Sequence, residues 1–259
     1  MHQPNPQATY EPAPPEALDS LKVLLLQARA PGDPVAASER KAFAMALGLD
    51  VARVGTHDLL GGPPTLAEIR RHDALMVGGS GDFYVSKRNL PGIDAILDRM
   101  REVVETGHPT FASCFGFQLL VEALGGRVIH DPDRVEVGTH EVTLTEGGLS
   151  DPLFGDLPPR FRAQMGRKDR AESLPDGVVH LASSELCRYH ALRVSRKPIW
   201  ATQFHPELDR ARNRSRFERY VDAYAPLMTA EERKRALDGF LESPATDRLL
   251  SRFLRVVFT

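Results

Sequence analysis

From Leu21 the chain opens on a continuous apolar run, LKVLLLQA, the pattern of a strand covered on both faces. The stretch DPVAASERKAFAMALGL follows with helical character and ends near Gly48. A second apolar run, DALMVGGSGD, breaks into glycines. LPGIDAILDRMREVVETG then spaces its apolar residues as an amphipathic helix, with Pro91 near its start and Gly107 after its end. PTFAS reads as a short strand, and FGFQLLVEALGG as a helix closed by glycines. This βαβα alternation predicts an α/β fold, a mainly parallel sheet with helices on both faces.

After about residue 127 the rhythm changes. RVIHD, HEVTLTE, RFRAQM, GVVHLASS, YHALRV and PIWATQF are short strand-like runs separated by turns, a string that can add antiparallel strands to the edge of the sheet. From Leu208 the pattern turns helical again. The reading is one α/β domain over residues 20–207, a helical C-terminal extension over 208–259, and a disordered, proline-rich arm over 1–19. The final TDRLLSRFLRVVFT places Leu249, Leu250, Phe253, Leu254 and Val257 on one helical stripe that needs cover. Packing on its own domain is the expected cover, with a homodimer as the lesser alternative.

Composition narrows the function only a little. The 259 residues are 42% hydrophobic and carry a formal net charge of -2, without the basic excess of a nucleic-acid binder. Two cysteines make no disulfide framework, which fits a reducing, cytoplasmic compartment. No stretch approaches the ~20 apolar residues of a membrane span, and the N-terminus lacks the basic start and apolar segment of a signal peptide.

Three short segments carry candidate chemistry. In TFASCFGFQLL, Cys114 stands at a strand-to-helix corner, where the unpaired N–H groups of the helix start favour thiolate over thiol. Gly116 leaves room where the turn is tight. In WATQFHPEL, His205 and Glu207 project to the same side if the chain is extended, and Pro206 biases His205 that way. A carboxylate beside an imidazole fixes its tautomer and stabilises its protonated form, so the pair offers a base and its orienter to a thiol. In MVGGSGDF, glycines after a parallel strand free backbone N–H groups at the carboxyl edge of the sheet. Their spacing matches neither the dinucleotide fingerprint nor the P-loop. An oxyanion hole made of a backbone N–H near Gly79 and that of Phe115 is the better use.

In this order the segments GGSGD, ASCFGFQ and QFHPE resemble the class I, triad-type glutamine amidotransferases over roughly residues 21–208. VEVG, residues 135–138, looks like a further segment of that family. The resemblance implies a flavodoxin-like amidotransferase sheet and a cysteine-dependent enzyme. Cys114 is then the nucleophile, His205 the acid–base and Glu207 its orienter. Gly79 and Phe115 supply the oxyanion hole, and Gln118 lines the glutamine pocket. It also implies release of ammonia from the glutamine side chain through a glutamyl thioester, with no metal or organic cofactor. The ~50 residues after Leu208 are too few for a synthetase domain. Either a separate synthetase accepts the ammonia, or the protein is a free-standing hydrolase. Standalone members of this layout are similar to the amidotransferase portion of GMP synthase, and others hydrolyse γ-glutamyl peptides or amides. A non-catalytic regulatory subunit is a further alternative.

Several positions depart from the family pattern or invite other readings. Ser80 stands where the family loop usually has proline, and Ala112 replaces the glycine before the nucleophile. MGRKD, residues 165–169, lacks the usual histidine before an aspartate. Its Arg167 and Lys168 read as a solvated basic turn near the pocket mouth, leaving the amino-acid substrate open. Cys187 reads as a core residue of a strand. His140, His180 and His190 show no metal-ligand spacing with carboxylates or thiols. DRARNRSRFERY reads as a solvated helix face.

Overall fold

The computed structural model describes residues 15–224 and 228–259. Residues 1–14, most of the expected arm, lie outside the described residues, and Pro15–Ser20 form a short 3-10 segment. The elements then run β1 (Val23–Ala28), α1 (Val35–Leu47), β2 (Val54–Asp58), α2 (Leu66–Ile69), β3 (Ala74–Ser80), α3 (Ile93–Thr106), β4 (Thr110–Ser113), α4 (Phe115–Ala123), β5 (Arg127–His130), β6 (Glu136–Leu144) and α5 (Glu146–Leu149). After these come β7 (Arg160–Arg167), β8 (Asp169–Ser173), β9 (Val178–Ser183), β10 (Ala191–Val194), β11 (Ile199–Thr202), α6 (Arg210–Arg219), α7 (Val221–Tyr224), α8 (Ala230–Asp238) and α9 (Leu249–Phe258).

Nine strands form one sheet in the order β2-β1-β3-β4-β11-β10-β9-β6-β7. From β2 through β11 neighbouring strands run parallel, and from β11 through β7 they run antiparallel. This is the parallel sheet with an antiparallel edge that the pattern predicted. The exception is RVIHD, which as β5 pairs with β8 in a separate two-stranded ribbon. The strand β2 escaped the sequence reading because VGTHD alternates with little apolar content and is buried only at Val54.

The apolar runs of the central strands split between two cores, as strand alternation requires. Leu24 and Leu26 face a layer shared with α3 and α4, while Val23 and Leu25 face α1 and α9. The predicted stripe of α9 is covered by its own chain: Leu249, Leu250, Phe253 and Leu254 are buried. The ring of Phe253 meets Phe111 and Trp200 edge-on, at centroid distances of 5.7 and 5.8 Å. No helix among the described residues is long and apolar enough to cross a membrane.

Candidate active site

The parallel strands end their carboxyl edges together, and the sharp exits there put Cys114 and His205 side by side. Cys114 follows β4 with φ 51° and ψ -100°, the left-handed region that L-residues avoid. Its N–H donates to the carbonyl of Thr202 at 2.7 Å, which ties the corner to β11. Two residues later Gly116 is obligatory, because a Cβ there would lie 2.5 Å from the carbonyl oxygen of Val77 on β3. The thiol therefore sits over the start of α4, 3.9 Å from the carbonyl of Gly166.

His205 and Glu207 meet as the sequence indicated, but by a different route. The chain does not stay extended. The N–H of Leu208 donates to the carbonyl of His205 at 3.2 Å, closing a turn with Pro206 at its second position. Across this turn Nδ1 of His205 lies 2.7 Å from Oε1 of Glu207, and the Cys114 thiol interacts with the same imidazole. Burial pushes the imidazole pKa down, but Glu207 and Cys114 together outweigh it and hold His205 at about 9. Burial pushes the Glu207 carboxyl up, and His205 and Arg216 bring it below its ordinary value.

The glycine loop packs directly on this pair. A Cβ at Gly79 would lie 2.9 Å from Cε1 of His205, so this position closes the floor behind the imidazole. A cleft opens beside the thiol, lined among others by Ser80, Tyr84, Phe115, Gln118 and Lys168. The Gln118 amide is held from within the protein: Nε2 donates to the carbonyl of Asp169 at 3.1 Å and to Oε1 of Gln203 at 3.2 Å.

Four expectations are corrected. Arg167 and Lys168 form no solvated turn; both are buried at the corner from β7 to β8. Arg167 grips Glu136 of the VEVG segment, with Nε and Nη2 at 2.7 and 2.5 Å from Oε2. Lys168 donates to the hydroxyl of Tyr84 at 3.0 Å, and burial followed by repulsion from Lys87 lowers its pKa to about 8. Cys187 is buried, but in the connection between β9 and β10 rather than in a strand. His190, for which no ligand set was expected, does join Glu136 and Cys187, with ligand atoms within 4.8 Å of one another. The donor set does not suit a cation, because Oε2 of Glu136 already faces both Arg167 and Nε2 of His190, the latter at 3.0 Å. The arginine-rich α6 is not simply a solvated face. Asn213 and Phe217 are buried, and Arg216 reaches inward to 3.5 Å from Oε1 of Glu207. Nothing in the alternating arginines of that helix distinguishes the inward one from its neighbours.

Residues 63–220 match the protein family described as "Glutamine amidotransferase class-I". The chain is similar to a glutamine-hydrolyzing GMP synthase of Caldanaerobacter subterraneus subsp. tengcongensis, at 32% identity over 56% of this chain and 26% of that protein. It is also similar to a protein of Methanocaldococcus jannaschii named as one subunit of a glutamine-hydrolyzing GMP synthase, at 34% identity over 39% of this chain and 51% of that protein. The chain thus spans a quarter to a half of the length of these relatives. Among solved structures, a glutamine amidotransferase from Thermotoga maritima superposes with a TM-score of 0.67 at 19% identity, covering 92% of this chain and 99% of that one. One from Methylobacillus flagellatus gives 0.68 at 21% identity, covering 91% and 93%. These two likenesses concern the fold.

Proposed function

The chain belongs to the class-I glutamine amidotransferase family, and from that premise we propose that it hydrolyses the side-chain amide of glutamine through a Cys114 thioester and delivers ammonia to a separate synthetase. The observation that carries this reading is the buried line from Glu207 through His205 to a thiol held at a strained corner. The Cys114 thiolate attacks the γ-carbonyl carbon, forming the C–S bond. Backbone N–H groups of Gly79 and Phe115 receive the developing oxyanion. His205, protonated near neutrality, gives its proton to the amide nitrogen, and the C–N bond breaks to release ammonia. Water then loses a proton to His205 and attacks the glutamyl thioester. The C–S bond breaks, glutamate leaves and the thiolate is restored. The Methanocaldococcus relative is named as one part of a larger synthase, which supports an acceptor on another chain.

A γ-glutamyl peptide or amide as substrate is the second reading, favoured by Lys168 and Tyr84 at the cleft where the family pattern departs. The test is ammonia and glutamate release by the purified chain, from glutamine and from γ-glutamyl peptides in parallel. Turnover of glutamine supports the first reading. Glutamate release from the peptides without ammonia from glutamine supports the second, and no turnover of either rejects both.

A further inference from the structure

Glu207 is buried, and an unmatched buried carboxylate would take up a proton. His205 does not balance it permanently, because its proton moves during the reaction. Behind Gly79 a second layer of charge closes in. A Cβ at Gly79 would meet Nη2 of Arg29 at 3.6 Å and Nη1 of Arg216 at 3.8 Å, besides the His205 ring. Arg29 is matched by Glu39 of α1 at 2.5 Å. Arg216 lies between two carboxylates, 3.5 Å from Glu207 and 3.8 Å from Glu39, and its Nη1 is buried without a hydrogen-bond partner.

We infer that Arg216 is a positioning residue of the triad, whose guanidinium matches the buried charge of Glu207 and keeps that carboxylate turned to His205. This rests on the triad reading given above. Around the guanidinium stand Glu207 and His205 from the turn after β11, Glu39 from α1, Arg29 after β1 and Tyr220 after α6, with Cys114 beyond the imidazole. The Tyr220 hydroxyl accepts from Arg29 at 3.2 Å and donates to Asp33. With Glu39 and Arg29 matched to each other, and Glu207 to Arg216, these four charges balance. The Cys114–His205 pair can then pass one proton between its members without leaving a buried charge unmatched. Arg216 itself remains 12% exposed.

Removing this cation favours protonation of every neighbour at once, so the acid side of the Cys114 thiolate titration must rise. The test is the pH dependence of iodoacetamide alkylation at Cys114, read by peptide mass spectrometry, which needs no glutamine. In Arg216→Gln the acid limb should move to higher pH, and Arg216→Lys, which keeps the charge, should restore most of it. Glu39→Gln should move the limb the other way, since it leaves a surplus cation. A purely structural role would slow the reaction without moving the limb. An unmoved limb in Arg216→Gln overturns the inference, as does an unmoved limb in Glu39→Gln should Arg216→Gln fail to fold. A wild-type protein whose Cys114 shows no such limb sinks the triad reading itself.

Discussion

Nδ1 of His205 and Oε1 of Glu207 are 2.7 Å apart inside the protein, across a turn that the Leu208 N–H closes on the His205 carbonyl. The contact fixes the imidazole beside Cys114. In the proposed mechanism Glu207 orients and His205 transfers the proton, so their loss should differ in severity. We expect His205→Ala to abolish glutamine turnover and Glu207→Ala to leave a measurable remnant. Wild-type kcat in His205→Ala would remove the histidine from the mechanism.

The contact of Gly79 with the same ring gives a steric prediction. A methyl group at 79 would lie 2.9 Å from Cε1, closer than carbon atoms tolerate, so the ring or the strand must move. In Gly79→Ala the displacement of His205 should lower kcat by about 10²-fold, the cost of misplacing a catalytic group by about 1 Å. The fold should survive, since the neighbouring contacts are side-chain ends. Unchanged kcat with an unchanged melting temperature would show that the ring is not constrained from this side.

The ordered motifs made much of the site legible. An elbow, a glycine loop and His-Pro-Glu are local signatures, because each depends on residues adjacent in the chain. The charges behind them are not local. Glu136 reaches Arg167, His190 and Ser184, and Glu39 reaches Gln27, Arg29 and Arg216, all across the fold. No spacing rule links such positions, so Arg167 looked like a surface cation and His190 like a solitary histidine. The apolar periodicity, in contrast, predicted both faces of β1 and the buried stripe of α9. It failed at β2, whose edge position leaves most of its side chains partly or fully exposed.

The Glu136 network should be a stability element. Replacing Glu136 by Gln leaves the Arg167 guanidinium buried and poorly matched, a change expected to cost about 3–5 kcal/mol. Chemical denaturation of Glu136→Gln against wild type measures it. A loss under about 1 kcal/mol would mean that Arg167 finds water or another partner.

The same group sets a pH dependence. Despite burial, His190, Arg167 and Ser184 hold the Glu136 carboxyl far below its ordinary range. A depressed folded-state pKa gives stability that is present above the unfolded value, about 4.3, and lost as pH falls below it. Melting temperature should therefore drop on acidification below that point, and drop less steeply in Glu136→Gln. Equal acid sensitivity of variant and wild type would exclude Glu136 as the source.

α9 offers a test of packing. Phe253 is wholly buried between Phe111 and Trp200, and both lie on strands that lead to Cys114 and His205. Phe253→Ala should destabilise the protein by about 3–5 kcal/mol, and truncation after Ala245 should lower the melting temperature further. A truncated chain with unchanged stability would show that the sheet does not need this cover.

The two cysteines give the sharpest chemical contrast. A high pKa does not protect Cys187: although burial pushes its thiol up, His190 and Arg167 bring it below its ordinary value. Access must decide. Cys114 borders the cleft that Gln118 and Lys168 line, whereas Cys187 is 1% exposed within the β9–β10 connection and its thiol is bonded to the carbonyl of Tyr189. A glutamine-shaped diazoketone gains further selectivity, because binding its amino-acid end holds the electrophilic carbon near one sulfur. Native protein should therefore be labelled at Cys114 alone, with Cys187 reacting only after unfolding, and excess glutamine should slow the labelling. Peptide mapping with and without glutamine reads both effects. Labelling at Cys187 first would overturn the assignment of the nucleophile. Labelling at Cys114 without protection by glutamine would keep the nucleophile and pass the substrate to a γ-glutamyl peptide or amide, the compounds that Lys168 and Tyr84 at the cleft would then have to recognise.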